Sequence, residues 1–138
     1  MPQDRPGDCD RVVVILNPSA RHGVAGRLEP LLRREVDARP TWTMAVTEGP
    51  GEAVHLAAKV VDFDVVLAVG GDGTVHEVVN GIMSCPAPDR PLLAILPSGS
   101  GDDYATMLGL RRSVPDCLRL LDARRTRRLD VGMCNGHV

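Results

Sequence analysis

Three runs of five purely aliphatic residues, Val12–Leu16, Val65–Val69 and Leu92–Leu96, constrain the fold of this chain more than any other feature. None alternates apolar with polar side chains, so a strand built from any of them must be covered on both faces. Each is far shorter than the roughly 20 residues that a membrane-crossing helix needs. Between the runs the apolar residues switch to helical spacing. Leu28, Leu31, Leu32 and Val36 fall on one stripe, as do Val75, Val78, Val79 and Ile82, and then Val114, Cys117, Leu118 and Leu121.

In chain order, Arg11–Leu16 reads as the first strand and Thr41–Val46 as the second, followed by a Gly49-Pro50-Gly51 turn and a helix from Glu52 to about Val61. Val65–Val69 is the third strand and Leu92–Leu96 the fourth. A short helix starts near Asp102, Ser113 caps the next helix with Pro115 in its first turn, and Arg128–Val131 reads as a final strand. Strands alternating with helices predict an α/β fold, a mostly parallel sheet flanked by helices on both faces. Right-handed crossovers then gather the strand-to-helix loops at one edge. Residues 1–10 are expected to be a loose tail and 11–138 one folded domain.

Composition narrows the function classes. The 138 residues suffice for one domain that buries about two-thirds of its unfolded surface. A net charge of −2 argues against a general nucleic-acid binder. The three aromatics, Trp42, Phe63 and Tyr104, are too few for base-stacking platforms, and the first two are expected to pack in the core or at its rim. The first ten residues lack a basic segment followed by an apolar one, so no secretory signal is expected, and the expected location is the cytoplasm or the membrane periphery. Cys9, Cys85, Cys117 and Cys134 form no C-x-x-C pair and read as reduced thiols serving as small hydrophobes. His22, His55, His76 and His137 have no metal-ligand spacing, and His76 reads as a surface residue beside a loop. Fifteen of the sixteen basic residues are Arg. Two clusters, Arg111–Arg112 and Arg124 to Arg128, suit either a solvated connection or contact with phosphates and anionic head groups.

The chemistry concentrates where strands end. Gly70-Gly71-Asp72-Gly73-Thr74 lies between a buried strand and a helix. Glycines there let the backbone approach a ligand closely, and the amides and dipole of the following helix favour an anion. Thr74-Val75-His76-Glu77 also fits a capping box, which would satisfy the helix end with no ligand. The capping box accounts for Thr74 and Glu77 but gives no purpose to an aspartate set among three glycines. Neither G-x-G-x-x-G at the first helix nor G-x-x-x-x-G-K-[ST] occurs, and Lys59 follows no glycine loop, so the phosphate reading rests on amides, a divalent metal and arginine.

Leu96 to Ala105 repeats that architecture, with Pro97-Ser98-Gly99-Ser100-Gly101 leading into a helix opened by Asp102 and Asp103. The serines can hold phosphate oxygens and the two acids a hydrated Mg²⁺, although the same residues are good turn and cap formers. Asn17-Pro18-Ser19 follows the first strand in the same way. Three such loops at the carboxyl ends of parallel strands converge where α/β sheets bind ligands.

Gly70–Thr74 followed by His76-Glu77-Val78-Val79-Asn80-Gly81, then Pro97–Ala105, resembles the diacylglycerol kinase catalytic domain family. Asn17-Pro18 resembles its opening pair, Thr47 with Gly49-Pro50-Gly51 its second-strand threonine and turn, and Leu129-Asp130-Val131-Gly132 a later strand. The resemblance implies an NAD kinase/phosphofructokinase-like nucleotide-binding fold and Mg²⁺-dependent transfer of the γ-phosphate of ATP to a lipid hydroxyl at a membrane surface. It further implies that Asn17, Thr47, Gly70, Gly71, Gly73, Thr74, Gly99 and Ser100 surround the nucleotide and that Asp72 and Asp103 hold the metal. Asp72 would be the catalytic carboxylate, next to the transferring phosphate.

The pattern departs from the family at Ser100 for threonine, Asp102 for asparagine, Tyr104 for phenylalanine, Thr106 for arginine, and Ala20-Arg21 for serine-glycine. Ser100 keeps the hydroxyl. Asp102 adds a charge beside Asp103 that would either strengthen a metal site or repel phosphate. The family also carries a second, β-rich domain, so residues 133–138, which resemble an unfinished hairpin, suggest a nucleotide-binding half whose acceptor domain is absent. Two rival expectations are a kinase of the NAD kinase type, which shares Gly-Gly-Asp-Gly, and a catalytically silent nucleotide- or lipid-binding module.

Overall fold

The computed structural model describes residues 10–138. Four strands, β1 (Val12–Leu16), β2 (Trp42–Val46), β3 (Val65–Gly70) and β4 (Leu92–Pro97), form one parallel sheet in the order β2-β1-β3-β4. The helices are α1 (Glu29–Asp37), entered through a 3₁₀ turn at Val24–Leu28, α2 (Glu52–Ala57), α3 (Asp72–Ser84), α4 (Asp103–Met107) and α5 (Val114–Asp122). A short 3₁₀ turn at Ala87–Asp89 precedes β4.

The aliphatic runs are buried on both faces, as their lack of alternation requires. Val12, Val14 and Leu16 of β1 pack with Leu32 of α1 and with Val114 and Cys117 of α5. Val13 and Ile15 pack on the opposite face with Ala53 and Ala57 of α2 and Val78 and Ile82 of α3. Fully burying each such side chain contributes about 1.5–3 kcal/mol, so β1 anchors both layers. The chain leaves β1 toward the α1 face and β3 toward the α3 face. The sheet therefore has its topological switch between these two neighbours, where such sheets form a crevice.

Ser113 caps α5 as expected, its Oγ accepting from the Asp116 amide at 3.2 Å. Two expectations fail. The second helix stops at Ala57 rather than near Val61, because the chain must turn back to begin β3, and Val60 enters the core from that turn. Arg128–Val131 forms no strand, since no described strand is available to pair with it, and Leu129 and Val131 stand 44% and 46% exposed. Beyond it, Cys134 and His137 form an isolated antiparallel bridge, and Asn80 clasps Val138 through both its amide oxygen and its amide nitrogen. The loose tail expected over residues 1–10 lies outside the described residues except for Asp10. That carboxylate accepts from Arg124 Nη2 at 2.8 Å. No described helix is long and apolar enough to cross a membrane.

Gly81 sits where α2 and α3 touch. A Cβ there would stand 2.5 Å from Ala57 Cβ and 2.5 Å from the Val54 carbonyl oxygen. Gly81→Ala is therefore expected to destabilise the fold by about 1–3 kcal/mol through overpacking, despite a gain of about 1 kcal/mol in helix propensity. Urea unfolding of the two proteins measures the net sign.

Cys85 and Cys117 are buried and Cys134 is exposed. Burial pushes the Cys117 thiol up from 9.0 to about 11. The fold thus favours its protonated form, a contribution fully present below pH 9.0 and lost as pH rises toward 11. Stability should fall across that window more steeply in the parent than in Cys117→Ala, and thiol reagents at neutral pH should label Cys134 before Cys85 and Cys117.

Candidate active site

The sheet ladder carries on past the strands and delivers four loops side by side. Asn17 N–H donates to the Val69 carbonyl at 2.9 Å, Thr47 N–H to the Leu16 carbonyl at 2.9 Å, and Ser98 N–H to the Gly70 carbonyl at 3.0 Å. The residues singled out in the sequence therefore meet at one edge. Asn17 Nδ2 donates to Thr74 Oγ1 at 3.1 Å and its Oδ1 accepts from the Ser19 amide, so Asn17 ties the β1 loop to the start of α3 across the switch point.

Three of the glycines answer to close packing, Gly70 against the Thr74 side chain and Gly71 and Gly99 against each other's backbone. A Cβ on Gly70 would lie 2.4 Å from Thr74 Oγ1, and one on Gly99 would lie 2.2 Å from Gly71 Cα. A Cβ on Gly71 would stand 3.0 Å from Gly99 Cα, so the two loops lie backbone against backbone. Gly73 is different. It lies exposed in the first turn of α3, its φ is unexceptional, and a Cβ built there would have nothing within 4 Å. Neither packing nor conformation calls for glycine at that position, whereas close approach of a ligand to the helix amides would.

The capping box does not form. Helix α3 begins at Asp72 with Gly71 as its N-cap, which places Thr74 inside the first turn. Its hydroxyl is taken by Asn17, and Glu77 Oε1 instead accepts the Gly51 amide at 2.9 Å, pinning the β2–α2 loop to α3. Partners distant in sequence displace the local cap.

Asp72 is exposed, and its carboxylate caps α4 from outside that helix. Oδ2 accepts from the Asp103 amide at 3.0 Å and Oδ1 from the Tyr104 amide at 3.1 Å. A Cβ on Gly101 would stand 3.4 Å from Asp72 Oδ2 and 3.5 Å from Asp103 Oδ1, so both exposed acids border one small glycine-lined space. An ionised carboxylate offers about four acceptor positions. After two amide bonds Asp72 retains capacity for a hydrated divalent ion, which keeps most of its waters and needs only one or two carboxylates. Among the described residues no three His, Cys, Asp or Glu side chains cluster into a closed metal cage.

Asp102 does not join them. It adopts a left-handed conformation, φ 54°, is only 4% exposed, and turns inward. Its Oδ1 accepts from the Gly99 amide at 2.9 Å and its Oδ2 from Arg112 Nε at 2.8 Å. The expectation that Asp102 stands with Asp103 as a second metal-facing acid is thereby corrected, because its carboxylate is committed to Arg112 and the Gly99 amide. Asn and Asp tolerate left-handed backbone better than most residues, which suits either at this position.

Thr47 is buried at the end of β2 and Ser100 lies on the exposed rim of the second loop. Arg112, which the sequence showed only as half of a basic pair, also donates through Nη2 to the carbonyls of Gly99 and Ser100 at 3.0 and 3.3 Å. Glu77 and Arg112 are the two positioning residues whose tasks the sequence concealed. An ordinary i,i+3 or i,i+4 pattern would have revealed neither, since their partners are distant along the chain.

Comparison with known proteins agrees with this fold. The family model for the diacylglycerol kinase catalytic domain matches residues 11–134. The chain is 36% identical over 132 residues to the diacylglycerol kinase of Bacillus subtilis (strain 168), covering 91% of this chain and 42% of that protein. It is 33% identical over 126 residues to the diacylglycerol kinase of Staphylococcus haemolyticus, covering 88% and 37% respectively. It therefore spans about two-fifths of these relatives' length. A crystal structure of a diacylglycerol kinase from Bacillus anthracis str. Sterne superposes with a TM-score of 0.78 at 28% identity, over 93% of this chain and 45% of that one. This chain, with its paired glycine loops and outward-facing Asp72, belongs to the diacylglycerol kinase catalytic domain family.

Proposed function

We propose that this chain is the ATP-binding half of a kinase that transfers the γ-phosphate of ATP to the hydroxyl of a diacylglycerol-like or sphingoid lipid at a membrane surface. The observation that carries this reading is Gly73, an exposed glycine in the first turn of a 13-residue helix, directly after Asp72 and with open space above it. The free amides of that helix end and its dipole suit phosphate oxygens. Asn17 and Thr74 hold the neighbouring loops in register, and Thr47, Gly70, Gly71, Gly99 and Ser100 complete the lining of the nucleotide side.

Asp72 and Asp103 would hold Mg²⁺, whose charge offsets that of the phosphates when it is bound. The transfer forms a bond from the lipid hydroxyl oxygen to the γ-phosphorus and breaks the bond to the bridging oxygen, releasing ADP and one proton. What this chain contributes is position and field. Glycine backbones admit the phosphates closely, helix amides meet their charge, and Asp72, at the start of α3 with its carboxylate held by the Asp103 and Tyr104 amides, stands beside the reacting phosphate. In this reading the acceptor-binding surface belongs to a second domain of the same polypeptide, within the additional length of the relatives.

Calorimetric titration with ATP, with and without Mg²⁺, tests the nucleotide claim. The parent should bind in a Mg²⁺-dependent manner, and Asp72→Ala should abolish that dependence. Gly73→Ala should weaken binding about tenfold or more while raising thermal stability, since alanine favours the helix by about 1 kcal/mol. A parent that does not bind ATP, or a Gly73→Ala variant that binds it equally well, would overturn the reading. Asp102→Asn should retain both fold and ATP binding. Asp102→Ala, which leaves Arg112 and the Gly99 amide without their partner, should lose about 1–3 kcal/mol of stability.

A further inference from the structure

A cavity opens on the face of the sheet that carries α1 and α5. It has a volume of about 230 Å³ and lies where the 3₁₀ turn before α1 meets the end of β4 and the start of α5. Arg21, Arg27, Arg112 and Ser98 line it together with an aliphatic wall that includes Val24 and Leu28, and no acidic side chain takes part. Ser98 is only 7% exposed, and its Oγ has no hydrogen-bond partner among the described residues. A buried hydroxyl without a partner is uncommon and calls for an explanation.

The arginines at the cavity are exposed to solvent rather than buried. Two of them are free of protein acceptors, for among the described residues neither Arg21 nor Arg27 has an ion-pair or hydrogen-bond acceptor for its side chain. Arg112 spends Nε and Nη2 on Asp102 and on the two loop carbonyls, which leaves Nη1. Arg21 reaches the wall from a segment of three successive left-handed residues, Arg21 at φ 52°, His22 at φ 53° and Gly23 at φ 88°, an uncommon run for side-chain-bearing residues.

We propose that this cavity is a phosphomonoester-binding site, separate from the space above Gly73, in which Arg21, Arg27, Arg112 and the Ser98 hydroxyl hold the phosphate and the aliphatic wall takes the carbon next to it. Planar guanidinium groups suit the oxygens of a doubly charged tetrahedral anion. The mostly apolar remainder of the wall favours an esterified phosphate over the free ion. The volume is several times the ~30 Å³ share of one water, room for a phosphate with a short substituent. The inference does not depend on the ATP reading, since α1 and α5 flank this cavity while Asp72 and Gly73 open α3 on the opposite face.

Amide-resolved NMR titration of the chain with phenyl phosphate and with inorganic phosphate tests it, beside co-sedimentation with phosphatidylcholine vesicles with and without phosphatidate. Phenyl phosphate should shift the Ser98 and Arg27 amides saturably, more tightly than inorganic phosphate. Arg27→Gln should weaken it about tenfold, and Ser98→Ala should weaken it without lowering thermal stability. Vesicle binding that needs phosphatidate and is lost in the Arg21→Gln/Arg27→Gln double variant would identify a lipid head group as the source. Phenyl phosphate binding without vesicle binding would identify a soluble phosphomonoester. The proposal fails if no saturable shift occurs at Ser98, or if the shifts cluster at residues 70–74, vanish in Gly73→Ala and persist in Arg27→Gln. Loss of ATP binding in Gly73→Ala with phenyl phosphate binding intact separates the two sites.

Discussion

The contact between Gly71 and Gly99 governs the rest of this edge. Neighbouring parallel strands lie about 4.8 Å apart, and here pairing runs on through Gly70 and Pro97 and the Ser98 amide to the last residue before the loops diverge. Two backbones that stay this close leave no room for a Cβ on either side, and a substituent on Gly99 would fall 2.2 Å from Gly71 Cα. Once the loops are held together, Asp72 can reach the amides of Asp103 and Tyr104, and α4 is capped by a residue 31 and 32 positions earlier in the chain. Each bond is worth about 0.5–1.5 kcal/mol. Their larger effect is geometric, because they fix where the exposed Asp72 and Asp103 carboxylates stand relative to the start of α3.

The three acids of this region divide by burial. Asp102 is enclosed and its charge is met by Arg112, an arrangement that commits it to holding the second loop. Arg112 is itself 43% exposed at the side chain, so solvent tempers the strength of that pair. Asp72 and Asp103 stay in contact with water and keep acceptor capacity. Adjacent residues of one chemical type thus take opposite roles, and the left-handed backbone at Asp102 is what turns its side chain away from its neighbours.

Much of this was legible in the sequence because it follows from local patterning. The unalternating aliphatic runs gave β1, β3 and β4, the last two each one residue short of their ends, since Gly70 and Pro97 pair with each other. The loops that carry Asn17, Gly71, Asp72, Thr74 and Gly99 were likewise expected together, because strand-end loops of a parallel sheet must share an edge. What escaped was decided by partners distant along the chain. Thr74 and Glu77 look like a cap until Asn17 and Gly51 claim them. Gly81 looks like an unfavourable helix residue until α2 is laid across it. Arg128–Val131 has the composition of a strand, but no described strand lies beside it.

Arg112 links the two faces of the carboxyl edge. Through Asp102 and the carbonyls of Gly99 and Ser100 it braces the loop that lies against Gly71, and its side chain also lines the cavity on the α1 and α5 face. An anion in that cavity and a ligand above Gly73 would therefore act on one loop from opposite sides. An anion that draws the guanidinium toward itself loosens the bond to Asp102, whereas one that fits it without displacement stiffens the loop. Whichever sign holds, any effect of the first ligand on the affinity of the second must be matched by an equal effect in reverse. The size of that coupling is limited by how differently Arg112 interacts in the two states, since a ligand shifts an equilibrium only by its differential affinity.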